Sequence, residues 1–302
     1  MAQPFTGLLA YPVTPLTHDG DLNLGALSSL VRNSAAAGVS GATVLATSGA
    51  GVTFDRGERR AVVETAVDAA FAPGGASIPV LVAVSAASTR EVLHLARDAA
   101  QAGASGLLLA PFSYLPLSDD EVRALFAELA DATALPVCFY NKPVQTQYDV
   151  TPETLAYLAE STTVVAVKET MRREDIEGRI RQLRDAVGDE FSIGLSSDVH
   201  LLAELPRVDA WHTGLAALLP VDYVEVWRNA QSGHRQGDAL ARVQTVALAL
   251  SEAKHPVGVL HALADSLGVP TSGPRGPFAA ATKDEAARLL NAVHGQSTLP
   301  QN

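Results

Sequence analysis

Residues 164–170 read VVAVKET, a run of small apolar side chains that ends in a lysine followed by a glutamate. A run this short and this continuously apolar fits a β-strand buried on both faces, as in parallel sheets covered by helices. Period two predicts that Val164, Ala166 and Lys168 share the enclosed face while Val165 and Val167 turn toward the helices. The lysine is out of keeping with that setting, because burying an ammonium without a partner drives loss of its proton. Two readings of Lys168 stand at this point: it closes the strand end through an ion pair with Glu169 or Asp198, or it is kept as a neutral amine.

Similar runs recur along the chain. GLLAYPV (7–13), GATVLAT (41–47), IPVLVAVS (78–85), SGLLLAPF (105–112), LPVCFYN (135–141), FSIGLSS (191–197) and AWHTG (210–214) bring the number to eight with VVAVKET. Between them lie amphipathic stretches. Val92, Leu95, Ala96 and Ala99 share one face of a helix expected over 89–102. Ser118 with Glu121 reads as a capping box, Thr151 followed by Pro152 as an N-cap with proline in the first turn, and Gly38 and Gly103 as helix stops. Eight β-α repeats predict an α/β fold, a closed (β/α)8 TIM barrel. An open doubly wound sheet shares this local grammar, but the first strand is not followed by the glycine-rich dinucleotide pattern. The barrel is expected to occupy residues 1–224 and to carry the site. Residues 225–302 form a C-terminal helical extension, interrupted by the proline- and glycine-rich loop GVPTSGPRGP (268–277).

The chain has 302 residues, 47% of them hydrophobic, and a net charge of −11 with its charges scattered. That balance argues against nucleic-acid or anionic-membrane partners, both of which want clustered Lys and Arg. With no signal-peptide pattern and no apolar stretch of ~20 residues, the expected location is the cytoplasm. A single cysteine, Cys138, excludes an intrachain disulfide and any multi-cysteine metal cluster. The histidines show no metal-ligand spacing with carboxylates at strand ends, so neither metal nor organic cofactor is expected.

Chemistry in such a barrel belongs to the C-terminal strand ends. Those positions include Thr47, Ser48, Tyr140, Lys168 and Thr213, and only Lys168 is a strong nucleophile when neutral. An apolar barrel mouth lowers a lysine pKa from ~10.4 and frees the lone pair for attack on a carbonyl, which is Schiff-base chemistry. Tyr140, at the end of the neighbouring strand, is placed either as a proton relay or as a large core residue with its hydroxyl at the rim. Thr47, Ser48 and the Gly49 backbone form either a carboxylate cradle or a plain β-to-α turn.

FTGLLAYPVTP (5–15), ATSGAG (46–51), FYNKP (139–143), VVAVKET and HALADSLGVP (261–270) together resemble the dihydrodipicolinate synthase and N-acetylneuraminate lyase family, over nearly the whole chain. The resemblance implies a TIM-barrel class I aldolase or lyase acting on pyruvate or a larger 2-oxo acid, with an aldehyde as second substrate in some members. It also implies a homo-oligomer, dimer or tetramer. On matching residues it makes Lys168 the imine former, Tyr140 the proton shuttle and Thr47 its relay. Ser48 and Gly49 would hold the keto acid's carboxylate, with Thr213 contacting it through backbone.

The departures carry equal weight. Ala50 stands where the family's threonine motif has a carboxylate. Phe112 and Ser113 stand in place of a tyrosine pair, with Tyr114 displaced by one and offered as its substitute at the substrate. Gln145 stands where the synthases hold the second substrate's carboxylate with an arginine, and an amide does not replace a bidentate guanidinium. Dihydrodipicolinate synthesis itself is therefore not expected, and the second substrate should be less acidic than aspartate semialdehyde. A sugar-acid aldolase, a 2-keto-3-deoxy acid dehydratase, an aromatic hydratase-aldolase and a non-catalytic keto-acid-binding barrel all remain open.

Overall fold

Every apolar run contains a strand: β1 (Gly7–Ala10), β2 (Gly41–Val44), β3 (Val80–Ala83), β4 (Gly106–Leu109), β5 (Val137–Tyr140), β6 (Val164–Thr170), β7 (Ser192–Ser196) and β8 (Ala210–Thr213). The structure is a computed structural model, and it describes residues 3–71, 77–170 and 175–293. Each strand pairs in parallel with the next and β8 returns to β1, closing a (β/α)8 barrel. Alternation sorts the side chains into two cores. Leu8, Val82, Leu107, Phe139, Val167 and Ile193 pack outward under the helices, while Leu9, Leu81, Leu108, Cys138 and Ala166 fill the barrel axis. Each fully buried aliphatic chain of this kind stabilises the fold by roughly 1.5–3 kcal/mol.

Period two fails at one place in β6. Val137 pairs with Val164 but Cys138 pairs with Ala166, so Val165 is an extra residue on β6. This bulge reverses the expected faces at the strand's start. Val164 packs in the outer core and Val165 against the inner one, while Ala166, Val167 and Lys168 keep the predicted alternation. The Val165 carbonyl, freed from regular pairing, accepts a hydrogen bond from the Gln3 side chain at 2.9 Å.

Helix boundaries follow local chemistry. Ser118 and Glu121 close a capping box on Asp119–Ala132, Thr151 caps Pro152–Ser161, and the helix Thr89–Gln101 buries Val92, Leu95, Ala96 and Ala99. The expected break after residue 224 falls inside a continuous helix, Pro220–Gln231. Beyond it, Asp238–Ser251, Pro256–Ser266 and Lys283–Val293 form the extension; residues 294–302 of the expected extension lie outside the described residues. Loop 268–277 does more than separate helices. Its Thr271 carbonyl accepts from Leu16 N–H at 3.0 Å, and Arg275 bonds to the Gly20 carbonyl at 2.7 Å and pairs with Glu58. The loop is thereby drawn across the C-terminal end of the barrel. No helix among the described residues is long and apolar enough to cross a membrane.

One polar cluster braces β5 against β6. Asn141 follows Tyr140, and Glu169 follows Lys168, so both turn away from the barrel axis. The Asn141 amide donates to the Glu169 carboxylate at 2.8 and 3.0 Å and to Asp149 at 2.8 Å. Arg179 donates to Glu169 at 3.1 Å and to the Val150 carbonyl at 2.8 Å. Glu169 is fully buried. Replacing it by Ala leaves buried Arg179 with only the Val150 carbonyl and a longer 4.0 Å contact to the exposed Asp149, and breaking a buried pair from one side costs roughly 3–5 kcal/mol. Denaturant unfolding of Glu169→Ala should show a loss of that order; a loss below about 1 kcal/mol would mean the brace does not hold β5 and β6 together.

Candidate active site

Lys168 stands opposite Tyr140 in the β5–β6 register and its side chain enters the barrel mouth. Its Nζ lies 4.0 Å from the ring centroid of Tyr140 and 4.0 Å from that of Tyr11, so the amine sits between two aromatic faces. Lys168 is only 4% exposed. Neither proposed carboxylate partner takes it as an ion pair: Glu169 is on the other side of the strand in the brace, and Asp198 accepts from the Tyr223 hydroxyl at 3.0 Å. Burial and then the neighbouring Lys142 cation lower the Lys168 pKa to about 7, only partly opposed by Cys138 and Asp198. Near neutral pH about half of it is free amine, against less than ~0.1% for a lysine titrating near ~10.4.

The surroundings are arranged to keep that amine unpaired. Tyr11 and His212 share a 2.6 Å hydrogen bond through the phenol oxygen and Nδ1. Burial pushes the Tyr11 phenol well up, and burial with the nearby Lys168 pushes the His212 imidazole well down, so both are neutral. His212 fits because β7 carries Gly194 beside it; a Cβ there would lie 2.2 Å from the ring nitrogen Nε2. Asp198 is likewise pushed up by burial.

The β2 loop supplies the other wall. Thr14 donates to the Gly49 carbonyl at 2.8 Å and pins the turn Thr47–Ala50. Ser48 reaches the β8 end because residue 214 is glycine; a Cβ there would sit 2.6 Å from the Ser48 hydroxyl oxygen. Lys142 lies half-buried at the rim, where its ammonium donates to Thr47 Oγ1 at 3.2 Å and stands 5.7 Å from the Tyr140 ring. Backbone strain gathers here too: Leu45, Ala50 and Ser197 hold left-handed φ values of 62°, 48° and 88° in the cavity walls.

The mouth holds two joined cavities. One, about 200 Å³, is polar and contains Lys168, Tyr11, Ser48, Asp198, His212 and Gly214. The other, about 290 Å³, is largely apolar and contains Ala83, Ala110, Phe112, Gln145 and Phe278. Thr47, Tyr140 and Lys142 line both. Among the described residues no group of three His, Cys, Asp or Glu side chains is placed to hold a metal ion.

Of the residues singled out from sequence, Lys168, Tyr140, Thr47 and Ser48 converge on the polar cavity and Gln145 lines the apolar one, while Gly49 is buried in the turn after Ser48 and lines neither. Thr213 is buried at the β8 end, where its carbonyl accepts from Tyr11 N–H at 3.0 Å and its hydroxyl from Ala216 N–H at 3.2 Å. Tyr114 does not join them: it is 92% exposed on the loop after β4 and lines neither cavity. Tyr11, Lys142 and Phe278 are additions, and His212, a strand-end position given no role from sequence, joins them. Tyr11 was within reach of period-two counting from Leu9, whereas Phe278 arrives from a loop whose path no local pattern predicts.

The sequence model of the dihydrodipicolinate synthetase family matches residues 4–296. The 4-hydroxy-tetrahydrodipicolinate synthase 1 of Streptomyces coelicolor is 30% identical over 97% of this chain and 94% of its own length; the chain spans 62% of the length of some other curated relatives it matches. Among solved structures, dihydrodipicolinate synthase from Agrobacterium tumefaciens superposes with a TM-score of 0.89 at 32% identity, covering 97% of this chain and 99% of that one. YagE from Escherichia coli K12, a member of the same family solved in complex with pyruvate, shares the fold with a TM-score of 0.85 at 24% identity, covering 97% and 99%. The barrel, the lysine at its sixth strand and the match across nearly its full length make this chain a member of the dihydrodipicolinate synthetase family.

Proposed function

We propose that the protein is a class I lyase or aldolase that forms an imine between Lys168 and the keto carbon of pyruvate or a larger 2-oxo acid. The observation that carries this reading is the buried, unpaired amine between two aromatic rings. The neutral amine adds to C2, and the carbinolamine hydroxyl leaves as water with a proton from Tyr140. Both ring faces then stabilise the resulting iminium cation. The iminium accepts the electron pair of a bond to C3, giving an enamine. Thr47 serves Tyr140 as relay, while Ser48 and the Gly49 N–H hold the substrate carboxylate beside the Thr213 backbone. Pyruvate bound by the related YagE supports the choice of keto acid.

Pyruvate with borohydride should convert Lys168 to a stable secondary amine, located by peptide mass spectrometry. An unlabelled Lys168 under conditions that label an authentic aldolase would sink the imine reading and favour a binding-only barrel, if pyruvate still binds. Tyr140→Phe should slow adduct formation by roughly 10²- to 10⁴-fold, the range typical of a lost general acid, with pyruvate affinity nearly unchanged; an unaltered rate removes Tyr140 from the relay.

The rate of imine formation in a single turnover follows the neutral amine. Lys168 is protonated below about 7, so the rate should rise about tenfold per pH unit up to that point and then level. Lys142→Met removes a cation that disfavours the ammonium, which raises the Lys168 pKa and moves the break to higher pH. Rapid-quench trapping across pH checks both; a native break above about 9, or a break that Lys142→Met leaves in place, contradicts the account.

The reading includes a homo-oligomer, dimer or tetramer. Tyr114 and Leu115, on the loop after β4, and Val144, in the short helix Pro143–Thr146, are 92%, 68% and 68% exposed at one end of the barrel, more apolar surface than a free rim needs. Tyr114 then meets substrate only from a neighbouring subunit. Light scattering should give a dimer or tetramer mass, reduced by Tyr114→Asp; a monomeric native protein excludes this part of the reading.

A further inference from the structure

The inner face of the barrel is lopsided at its mouth. β1, β5, β6 and β8 present Tyr11, Tyr140, Lys168 and His212, whereas Ala46, Ala83 and Ala110 stand at the ends of β2, β3 and β4. The missing side-chain volume over those three strands is the apolar lobe of about 290 Å³. It exceeds the ~150 Å³ of an apolar cavity that takes benzene. Phe112, Phe278 and Val52 roof it, from three separate loops.

Polar groups in the lobe are few and mostly engaged. Ser85 Oγ accepts from Ala110 N–H at 2.9 Å, and the Thr146 hydroxyl bonds to the Lys142 and Tyr148 carbonyls at 3.1 Å each. Among the described residues that line the lobe, Lys142 carries the only charge, and it stands where the lobe opens into the imine cavity, not at its far end. A carboxylate carried into the lobe would meet carbon, a neutral amide at Gln145 and, among the described residues that line the lobe, no cation beyond the entrance, since the Arg59 guanidinium stays behind the wall, donating to the Gly51 and Ala83 carbonyls; that is a costly burial. An apolar tail would lose nothing.

We propose that this site cleaves, or in reverse forms, 4-hydroxy-2-oxo acids whose C4 substituent is an uncharged apolar group of aromatic size. The tail lies in the alanine-floored lobe and the C4 oxygen lies at Lys142. The inference rests on the imine reading above. Once Lys168 has formed the iminium and water has left with the Tyr140 proton, the phenolate takes the C4 hydroxyl proton. The C3–C4 bond breaks, its electron pair entering the iminium to give the enamine, and C4 leaves as an aldehyde. Tyr140 returns the proton to C3, and water adds to C2 while giving a proton to the Tyr140 phenolate; the carbinolamine then collapses, its hydroxyl proton passing to nitrogen, to release pyruvate and Lys168. No oxidant or reductant enters. The Lys142 ammonium stabilises the charge that grows on the C4 oxygen.

Pyruvate release from four 4-hydroxy-2-oxo acids, differing at C4 in a phenyl, a methyl, a carboxylate or a polyhydroxylated chain, tests this on the native protein. The phenyl compound should have the highest kcat/KM, at least about tenfold above the methyl one, since burying an apolar group of that size contributes several-fold to tenfold or more. Ala110→Leu, which fills the lobe floor, should collapse the phenyl-to-methyl ratio. Preference for the carboxylate or polyhydroxylated tail overturns the inference while leaving the imine reading intact. So does a phenyl-to-methyl ratio near one, the result expected if a second copy's side chain occupies the lobe. Failure of pyruvate to label Lys168 removes both.

Discussion

The site depends on the separation of Lys168 from Glu169 by the thickness of one strand. The two residues are adjacent in sequence, and an ion pair between them would hold the lysine as an inert ammonium. Strand alternation sends them to opposite sides of the barrel wall, and the outer side already holds partners for the carboxylate in Asn141 and Arg179. Asn141 stands in the same relation to Tyr140 as Glu169 does to Lys168. Tying the outward pair therefore aims the inward pair, and a cluster outside the barrel mouth determines where Lys168 and Tyr140, the proposed nucleophile and acid, stand. The same geometry leaves Lys168 without an ion pair to Glu169 or Asp198, which supports the reading of it as an amine kept for chemistry.

Removing the counter-ion is necessary for a neutral lysine but leaves it with water. Here the barrel contributes Tyr11 and Tyr140 as walls, and Tyr11 is itself occupied by His212, so neither hydroxyl chemistry nor a loose imidazole competes for the amine. The small residues are as consequential as the large ones. Gly194 admits the His212 ring and Gly214 admits Ser48, while alanines over β2 to β4 leave the second cavity open. A single barrel mouth thus carries a polar half built by side chains and an apolar half built by their absence.

Much of this was legible from sequence because parallel strands buried on both faces announce themselves as continuous apolar runs, and because strand ends are where barrel chemistry sits. Lys168 and Tyr140 follow from those two rules. The reversed faces of Val164 and Val165 do not, since the bulge is a matter of register against β5 and has no local signal in VVAVKET. Lys142 sits in FYNKP just past the end of its strand, so its contact with Thr47 and its electrostatic effect on Lys168 emerge only when the loop is folded over the mouth. Phe278 is similar. Its place in the lobe depends on a loop held by Arg275 and Thr271, interactions between segments far apart in the chain.

Two lysines at one barrel mouth carry a stability cost, since burial and mutual repulsion both disfavour the charged forms. The arrangement persists because the costs are divided: Lys168, deeply buried, holds its proton less tightly, while Lys142 stays half-buried at the rim, where water still reaches it and Thr47 accepts its hydrogen bond. The cation that weakens proton binding at Lys168 also lines both cavities, together with Thr47 and Tyr140. On the proposed reading, a substrate tail entering the lobe passes Lys142, so the cation that adds to the effect of burial on Lys168 would also meet the substrate where the two cavities join.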